Sequence, residues 1–240
     1  MICDFDCKIF NINRFDICDK ANDTIYLQEK IQNDLDVLDK CSIHKLVCYI
    51  RHNDDHNVKI TLERINSFRC FIDQLVSSET LKKFKIHIYP KLYLSTDSPY
   101  IKNISKLAVG DRKRIFLELP LLPQPDFPDE ALNKILYNCH LIPVFTDFQN
   151  YNIFYSKDLI DKLIRIHNAA FQFSINKINN LDNLDIIKRI IRNGNTVLLG
   201  TSADHDNLNE REIIRNLNLL KKNLSIDTYR EILIRSNKMI

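Results

Sequence analysis

The sequence contains no tryptophan, two methionines and three glycines among its 240 residues. So little glycine excludes the glycine-rich loops that cradle phosphates in nucleotide-binding folds. No apolar run approaches the roughly 18 residues of a membrane span. The N-terminus lacks the basic-then-apolar pattern of a signal peptide. A soluble, cytoplasmic protein without membrane insertion is therefore expected. An excess of one charge is also missing: 34 Lys and Arg against 31 Asp and Glu leave a net +3, spread along the chain, which does not point to nucleic acid. The seven cysteines are an odd number and include no CxxC pair. Cys3, Cys7, Cys48, Cys70 and Cys139 lie mostly in apolar runs, which reads as buried reduced thiols rather than a disulfide framework or a zinc site. Cys7 or Cys48 as a nucleophile lacks a visible histidine partner.

What the chain does have is regular alternation. The stretch from Arg114 to Tyr151 reads strand, helix, strand. Ile115, Phe116, Leu117 and Leu119 form an apolar run interrupted by Glu118 and stopped by Pro120. Asp126 and Pro128 look like a helix start, followed by Ala131, Leu132, Ile135 and Leu136 at helical spacing. Leu141 to Phe145 is a second apolar run ending on Thr146 and Asp147. Two buried parallel strands joined by a helix make a βαβ unit. Similar runs near Ile2, Leu46, Ile86, Ala170 and Val197 bring the strands to seven, with helices between nearly all of them. Helices are expected from Thr24 (Asp23 as N-cap), over 61–76, 158–168 and 185–192 with Gly194 as a stop, and near 210–222 and 227–236. Residues 11–22 read as a loop and 53–57 as a turn. The stretch 94–109 reads as irregular surface. With 45% hydrophobic residues and no linker, the chain suits one α/β domain over 1–240, its parallel sheet either open or closed into a barrel.

The strand tips carry Asp6 and Lys8, Arg51 and His52, Tyr93, Glu118, Asp147, Gln172, then Ser202 and Asp204. The C-terminal edge of such a sheet is where α/β folds hold their chemistry. With these motifs the sequence resembles the polymerase-and-histidinol-phosphatase (PHP) superfamily, and within it the capsule-biosynthesis protein-tyrosine phosphatases. ELP (118–120) is similar to that family's strand ending in Glu, a hydrophobic residue and Pro. IPVFTDFQNY (142–151) is similar to its P-[VI]-[IL]-A-H-P-E-R-Y, NAAFQFSIN (168–176) to its G-A-x-x-Q strand, and LLGTSADHDN (198–207) to its S-D-A-H segment. MICDFDCKIF (1–10) is similar to M-[IV]-D-x-H-x-H and VCYIRHN (47–53) to V-x-T-P-H-H. The resemblance implies a distorted TIM-like (β/α)7 barrel of the PHP type. It also implies up to three metal ions at the strand tips, activating a water against a phosphate monoester.

The chain departs from that pattern at the ligands. The family's first two histidines become Asp6 and Lys8. The next becomes Arg51, with His52 beside it, and the glutamate after the third strand becomes Tyr93. Glu118 stays. The histidine of A-H-P-E-R-Y becomes Asp147 and that motif's phosphate-contacting arginine becomes Asn150. The last pair becomes Ser202 and Asp204, or uses His205 with a shift of one residue. A protonated Lys8 or Arg51 repels a metal and offers it no lone pair, but either can neutralise Asp6, Glu118 or Asp147. The expectation is a pseudoenzyme without a metal cofactor, in a binding or regulatory role toward a protein or phosphopeptide partner in capsule or exopolysaccharide biosynthesis. The alternative is a phosphoester hydrolase with a rebuilt site. There Asp6, Glu118, Asp147 and Asp204 hold Mg²⁺ or Mn²⁺. His52 is its general base, and Arg51 with Asn150 binds substrate. Gln172 is expected to tie strand ends together.

Overall fold

The structure, a computed structural model, describes residues 2–10, 21–52, 57–76, 78–111, 113–121, 129–178, 181–202 and 208–239. Seven strands form one sheet in chain order: β1 (Ile2–Asp4), β2 (Ile43–His52), β3 (Lys85–Tyr93), β4 (Arg114–Glu118), β5 (Ile142–Phe145), β6 (Ala170–Ser174) and β7 (Thr196–Gly200). Every neighbouring pair is parallel. The chain just past β1 meets the β7 side of the sheet: the Phe5 N–H donates to the Leu199 carbonyl at 3.0 Å and the Ser202 N–H to the Asp6 carbonyl at 3.1 Å. The sheet is thus a nearly closed (β/α)7 barrel, in agreement with the expected class.

Two separate apolar clusters show why these strands read as continuous hydrophobic runs. A small inner cluster holds Cys3, Phe5, Val47, Phe116, Val144, Ala170 and Leu198. Their chain neighbours Leu46, Cys48, Ile115, Leu117, Phe145, Phe171 and Leu199 belong instead to a larger outer cluster under the helices. Side chains alternate across a strand with period two. A strand buried on both faces therefore shows no polar alternation.

The helices that cover the outer face are α1 (Ala21–Lys40), α2 (Val58–Leu75), α3 (Ser78–Lys83), α4 (Asp129–Asn133), α5 (Tyr151–Phe154), α6 (Lys157–Ile164), α7 (Leu181–Arg192), α8 (Glu210–Asn223) and α9 (Ile226–Asn237). The side chains of Asn57, Ser156, Asn209 and Ser225 accept backbone N–H groups at the starts of α2, α6, α8 and α9, satisfying donors that a helix leaves open. Among the described residues no helix is long and apolar enough to cross a membrane.

Some expectations shift. α1 starts at Ala21, so Asp23 lies inside its first turn and is not its N-cap. The α3 helix was not read from the sequence. The 94–109 stretch contains two short turns of 3-10 helix, Ser98–Tyr100 and Ile104–Leu107. The helix after β4 passes from α4 into a π-helical turn, Lys134–Asn138. The proposed helix start at Asp126 and Pro128, and most of the loop at 11–22 and of the turn at 53–57, lie outside the described residues.

Gly200 ends β7 against the returning β1 chain. A Cβ there would come within 2.7 Å of the Asp6 amide nitrogen, 2.8 Å of the Asp6 Cβ and 2.9 Å of Gln172 Nε2. Two of these atoms cannot swing away without moving the Asp6 segment. Gly200→Ala should therefore lower stability by about 1–3 kcal/mol, the usual range for overpacking, read as an earlier urea midpoint. An unchanged midpoint would mean that the Asp6 segment yields freely.

Candidate functional site at the strand tips

Where β1 and β7 end, Asp4 ties the seam. Its carboxylate accepts the Thr201 N–H at 2.7 Å, the Thr201 hydroxyl at 2.6 Å and the Asp6 N–H at 3.1 Å. These bonds turn the next residues inward and place Asp6, 2% exposed, at the barrel mouth. Asp6 Oδ2 receives the Ser202 hydroxyl at 2.5 Å and lies 3.2 Å from the Lys8 ammonium. The Ser202 hydroxyl is also 3.5 Å from Asp147 Oδ1, bridging two acids.

Asp147 sits just past β5 with φ 52°, and Ser202 just past β7 with φ 50°. Non-glycine residues in this left-handed region carry strain of order 1–2 kcal/mol and persist where the surroundings hold them. Here the Asp147 N–H is held by Gln172 Oε1 at 2.6 Å, and the Ser202 N–H by the Asp6 carbonyl at 3.1 Å. Gln172 thus joins β6 to the β5 tip. Gln149 supports the same corner, donating to Asp147 Oδ1 at 3.3 Å while accepting the Ser174 N–H at 3.0 Å.

Glu118 closes the circle from β4. Its Oε2 is 2.9 Å from the Lys91 ammonium and its Oε1 is 3.5 Å from the Arg51 guanidinium. The ELP segment is fixed by both ends of α5: the Leu119 N–H donates to the Tyr151 hydroxyl at 2.8 Å, and the Tyr155 hydroxyl donates to the Pro120 carbonyl at 2.6 Å. The Arg51 guanidinium also lies 4.8 Å above the Tyr93 ring. The Tyr49 hydroxyl and Gln172 Nε2, both buried, have no hydrogen-bond partner among the described residues.

The structure thus brings Asp6, Lys8, Arg51, Tyr93, Glu118, Asp147, Gln172 and Ser202 to one end of the barrel. It does not bring His52 there. Arg51 faces the mouth, so its neighbour on the strand faces the helices. The His52 ring is fully buried, with Nδ1 2.7 Å from the Thr61 hydroxyl of α2. Its expected place as a general base at the tips is corrected on that ground. Asn150, expected at the substrate, accepts the Lys177 ammonium at 3.2 Å. Asp204 and His205 lie outside the described residues.

Lys91 is the cation that sequence reasoning missed. Its side chain is 13% exposed, against 51% for Arg51 and 44% for Lys8. Its ammonium also sits 5.6 Å from the centre of the Tyr49 ring. Lys91 lies one residue past Pro90 on β3, paired in register with Arg51.

Burial pushes the Asp6 carboxyl up, and the Asp147 charge adds to it, while Lys8, Lys91 and the Ser202 hydroxyl pull the other way. Burial works to lower the Lys8 pKa, but Asp6 and Asp147 outweigh it and raise it. Both directions describe one mouth: acids crowded together and a cation held by their sum.

These residues do not suit a metal cluster. Asp6 Oδ2 is taken by an ammonium and a hydroxyl, and both oxygens of Glu118 face cations. Among the described residues no group of three or more His, Cys, Asp or Glu side chains is placed to hold a metal. Metals need open lone pairs, and a neighbouring ammonium opposes them.

Two predictions follow from this geometry. Breaking a largely buried pair costs on the order of 3 kcal/mol, and an exposed one 0–1 kcal/mol. Lys91→Met should therefore lower the urea midpoint more than Arg51→Met does; the reverse order would show that Arg51 is the cation Glu118 depends on. The second concerns pH. Burial raises Asp4 from 3.8 to about 6, against the hydrogen bonds from Thr201 and the Asp6 N–H. Because the folded pKa is the higher one, this group's stabilisation is complete below 3.8 and is lost as pH rises through about 6. From pH 4.5 to 7.5 the wild type should lose about 2 kcal/mol relative to Asp4→Asn. Parallel stability curves for the two proteins would refute it.

No family model matches the sequence, and a search of the curated proteins finds no match. A solved structure does match, from the crystal structures of YwqE from Bacillus subtilis and CpsB from Streptococcus pneumoniae, described as metal-dependent tyrosine phosphatases. The TM-score is 0.61 at 18% identity, over 98% of this chain and 95% of that one. The barrel of this chain is therefore similar in fold to the barrel of those phosphatases, and bears at its strand tips carboxylates paired with lysine and arginine.

Proposed function

We propose that the chain is a non-catalytic binding protein built on a tyrosine-phosphatase-type barrel, recognising a phosphate-bearing peptide at its strand tips. One observation carries this reading: Lys8, Lys91 and Arg51 stand against the carboxylates that a phosphatase of this type would give to metal ions. A metal in such an enzyme lowers the pKa of a bound water and anchors the phosphate. A side-chain cation can do the anchoring but supplies no activated water.

Arg51 is the group for the ligand. Lys91, nearer to Glu118 and less exposed, can neutralise that carboxylate alone. This leaves the half-exposed guanidinium able to turn to a phosphate, which it fits bidentately. Tyr93 beneath it offers a face for an aromatic ring. The buried Tyr49 hydroxyl and Gln172 amide are further donors under the mouth. A cytoplasmic, regulatory place beside capsule or exopolysaccharide synthesis goes with this reading.

The test pairs turnover with binding. With excess Mn²⁺, an aryl phosphate and a phosphotyrosine peptide should be hydrolysed no faster than by a heat-denatured control. Calorimetry with the same peptide should show binding that Arg51→Met weakens about tenfold or more. Metal-dependent turnover abolished by Glu118→Gln would overturn the reading in favour of a hydrolase with a rebuilt site.

A further inference from the structure

The opposite, N-terminal mouth of the barrel holds charge without the balance found at the strand tips. Lys45, Val47, Tyr49 and Arg51 alternate on one face of β2, and Lys85, His87, Tyr89 and Lys91 on the matching face of β3. Val47 belongs to the inner cluster, and Tyr49 and Tyr89 pack against it, so this is the inward face. At the lower level Lys45 pairs in register with both Cys3 and Lys85. Arg114 begins β4 on the same face as Phe116. The first inward positions of three successive strands are thus basic, where a barrel interior calls for apolar side chains.

Neighbouring like charges in register are unfavourable unless something neutralises them. Among the described residues neither Lys45 nor Lys85 makes an ion pair, and neither does Arg69 of α2. The charges of Lys85, Lys45 and Arg69 all reach His87 and, with burial the larger cause, hold its pKa below the usual value. The ring is therefore neutral at pH 7. Its Nδ1 lies 3.2 Å from the Tyr89 hydroxyl, which puts the ring proton on Nε2 when Tyr89 donates. Nε2 is buried and has no partner among the described residues.

The strand ladder is incomplete at this level. β2 pairs with β3 from Lys45 and Lys85 onward, whereas β3 pairs with β4 only from Lys91 and Phe116. The lower half of β3 has no strand beside it on the β4 side, and the 3-10 turn Ile104–Leu107 lies near it and α2 there. Basic side chains gathered at this end of β2, β3 and α2, with a neutral imidazole N–H within reach of their charge, suit an anion of several charges.

We infer that this lower mouth binds a small polyvalent oxyanion, of the class of a pyrophosphate-bearing metabolite, through Lys45, Lys85, Arg69 and the His87 Nε2–H. The site is independent of the strand tips and of the function proposed for them.

The test is calorimetry of the full chain with inorganic pyrophosphate at low salt, since ion binding weakens as salt screens it. Lys45→Met/Lys85→Met should weaken binding about tenfold or more, and His87→Phe should also weaken it. In Arg51→Met, which removes the phosphate ligand at the strand tips, the binding that depends on Lys45 and Lys85 should remain. In buffer without the anion, the double variant should melt at or above the wild-type temperature, because repulsion is relieved; this shows that lost binding is not lost folding. No binding by the wild type, or binding no weaker in Lys45→Met/Lys85→Met than in the wild type, overturns the inference. Binding lost only in Arg51→Met also overturns it and leaves the strand-tip reading standing.

Discussion

A carboxylate withdrawn from water must meet a positive charge or give up its own. This constraint governs the mouth of the barrel. Asp6 is brought inside by backbone bonds that have no regard for its charge: the Phe5 and Ser202 amides close the seam on either side of it. Once there, next to Asp147, it needs compensation. A metal ion is one solution. The ammonium of Lys8, the hydroxyl of Ser202 and the more distant Lys91 are another, and the upward shift of Asp6 shows that they offset burial only in part.

The same residues close the barrel and form the site. Asp4 holds Thr201, Asp6 holds Ser202, and Gly200 leaves room for both chains to pass. Left-handed backbone at Asp147 and Ser202 turns their side chains toward each other. Strain stored at strand ends is tolerated because Gln172 and the Asp6 carbonyl grip the two amides. A substitution at this seam will therefore act on stability and on the site together, so measurements of binding need a stability control.

Much of the fold was legible. Seven apolar runs separated by helical patterns are seven parallel strands, because a strand covered on both faces has no reason to alternate polar residues. β7 and the end of α7 fell where the pattern placed them. The site was legible only as a set of residue types at strand ends. Lys91 was hidden because Pro90 reads as the end of a strand. In the structure β3 continues through it, and β4 joins β3 only from Lys91, so Pro90 lies where one side of the ladder is free. His52 was misplaced because adjacent residues on a strand share an end but not a face, and the strand's phase is set by contacts with α2. The Tyr151 bond to the Leu119 amide joins motifs 32 residues apart, a proximity that only the barrel creates.

Stability alone does not explain why the mouth is polar. Replacing a buried ion pair by apolar side chains of similar volume is often neutral or stabilising, whereas removing one partner is costly. A barrel needing only closure could fill its mouth with the valine, phenylalanine and leucine that fill its centre. This one holds three acids, three cations and two buried donors that have no partner among the described residues. Such a set has little use in the folded state by itself, because each ion pair must first offset its own desolvation. Under the proposed reading an anion finds Lys91 largely withdrawn from water and Arg51 half-exposed, and Glu118 can release Arg51 while keeping Lys91. On that reading a ligand has to compete for one guanidinium only, whereas a metal would have to displace every cation at once.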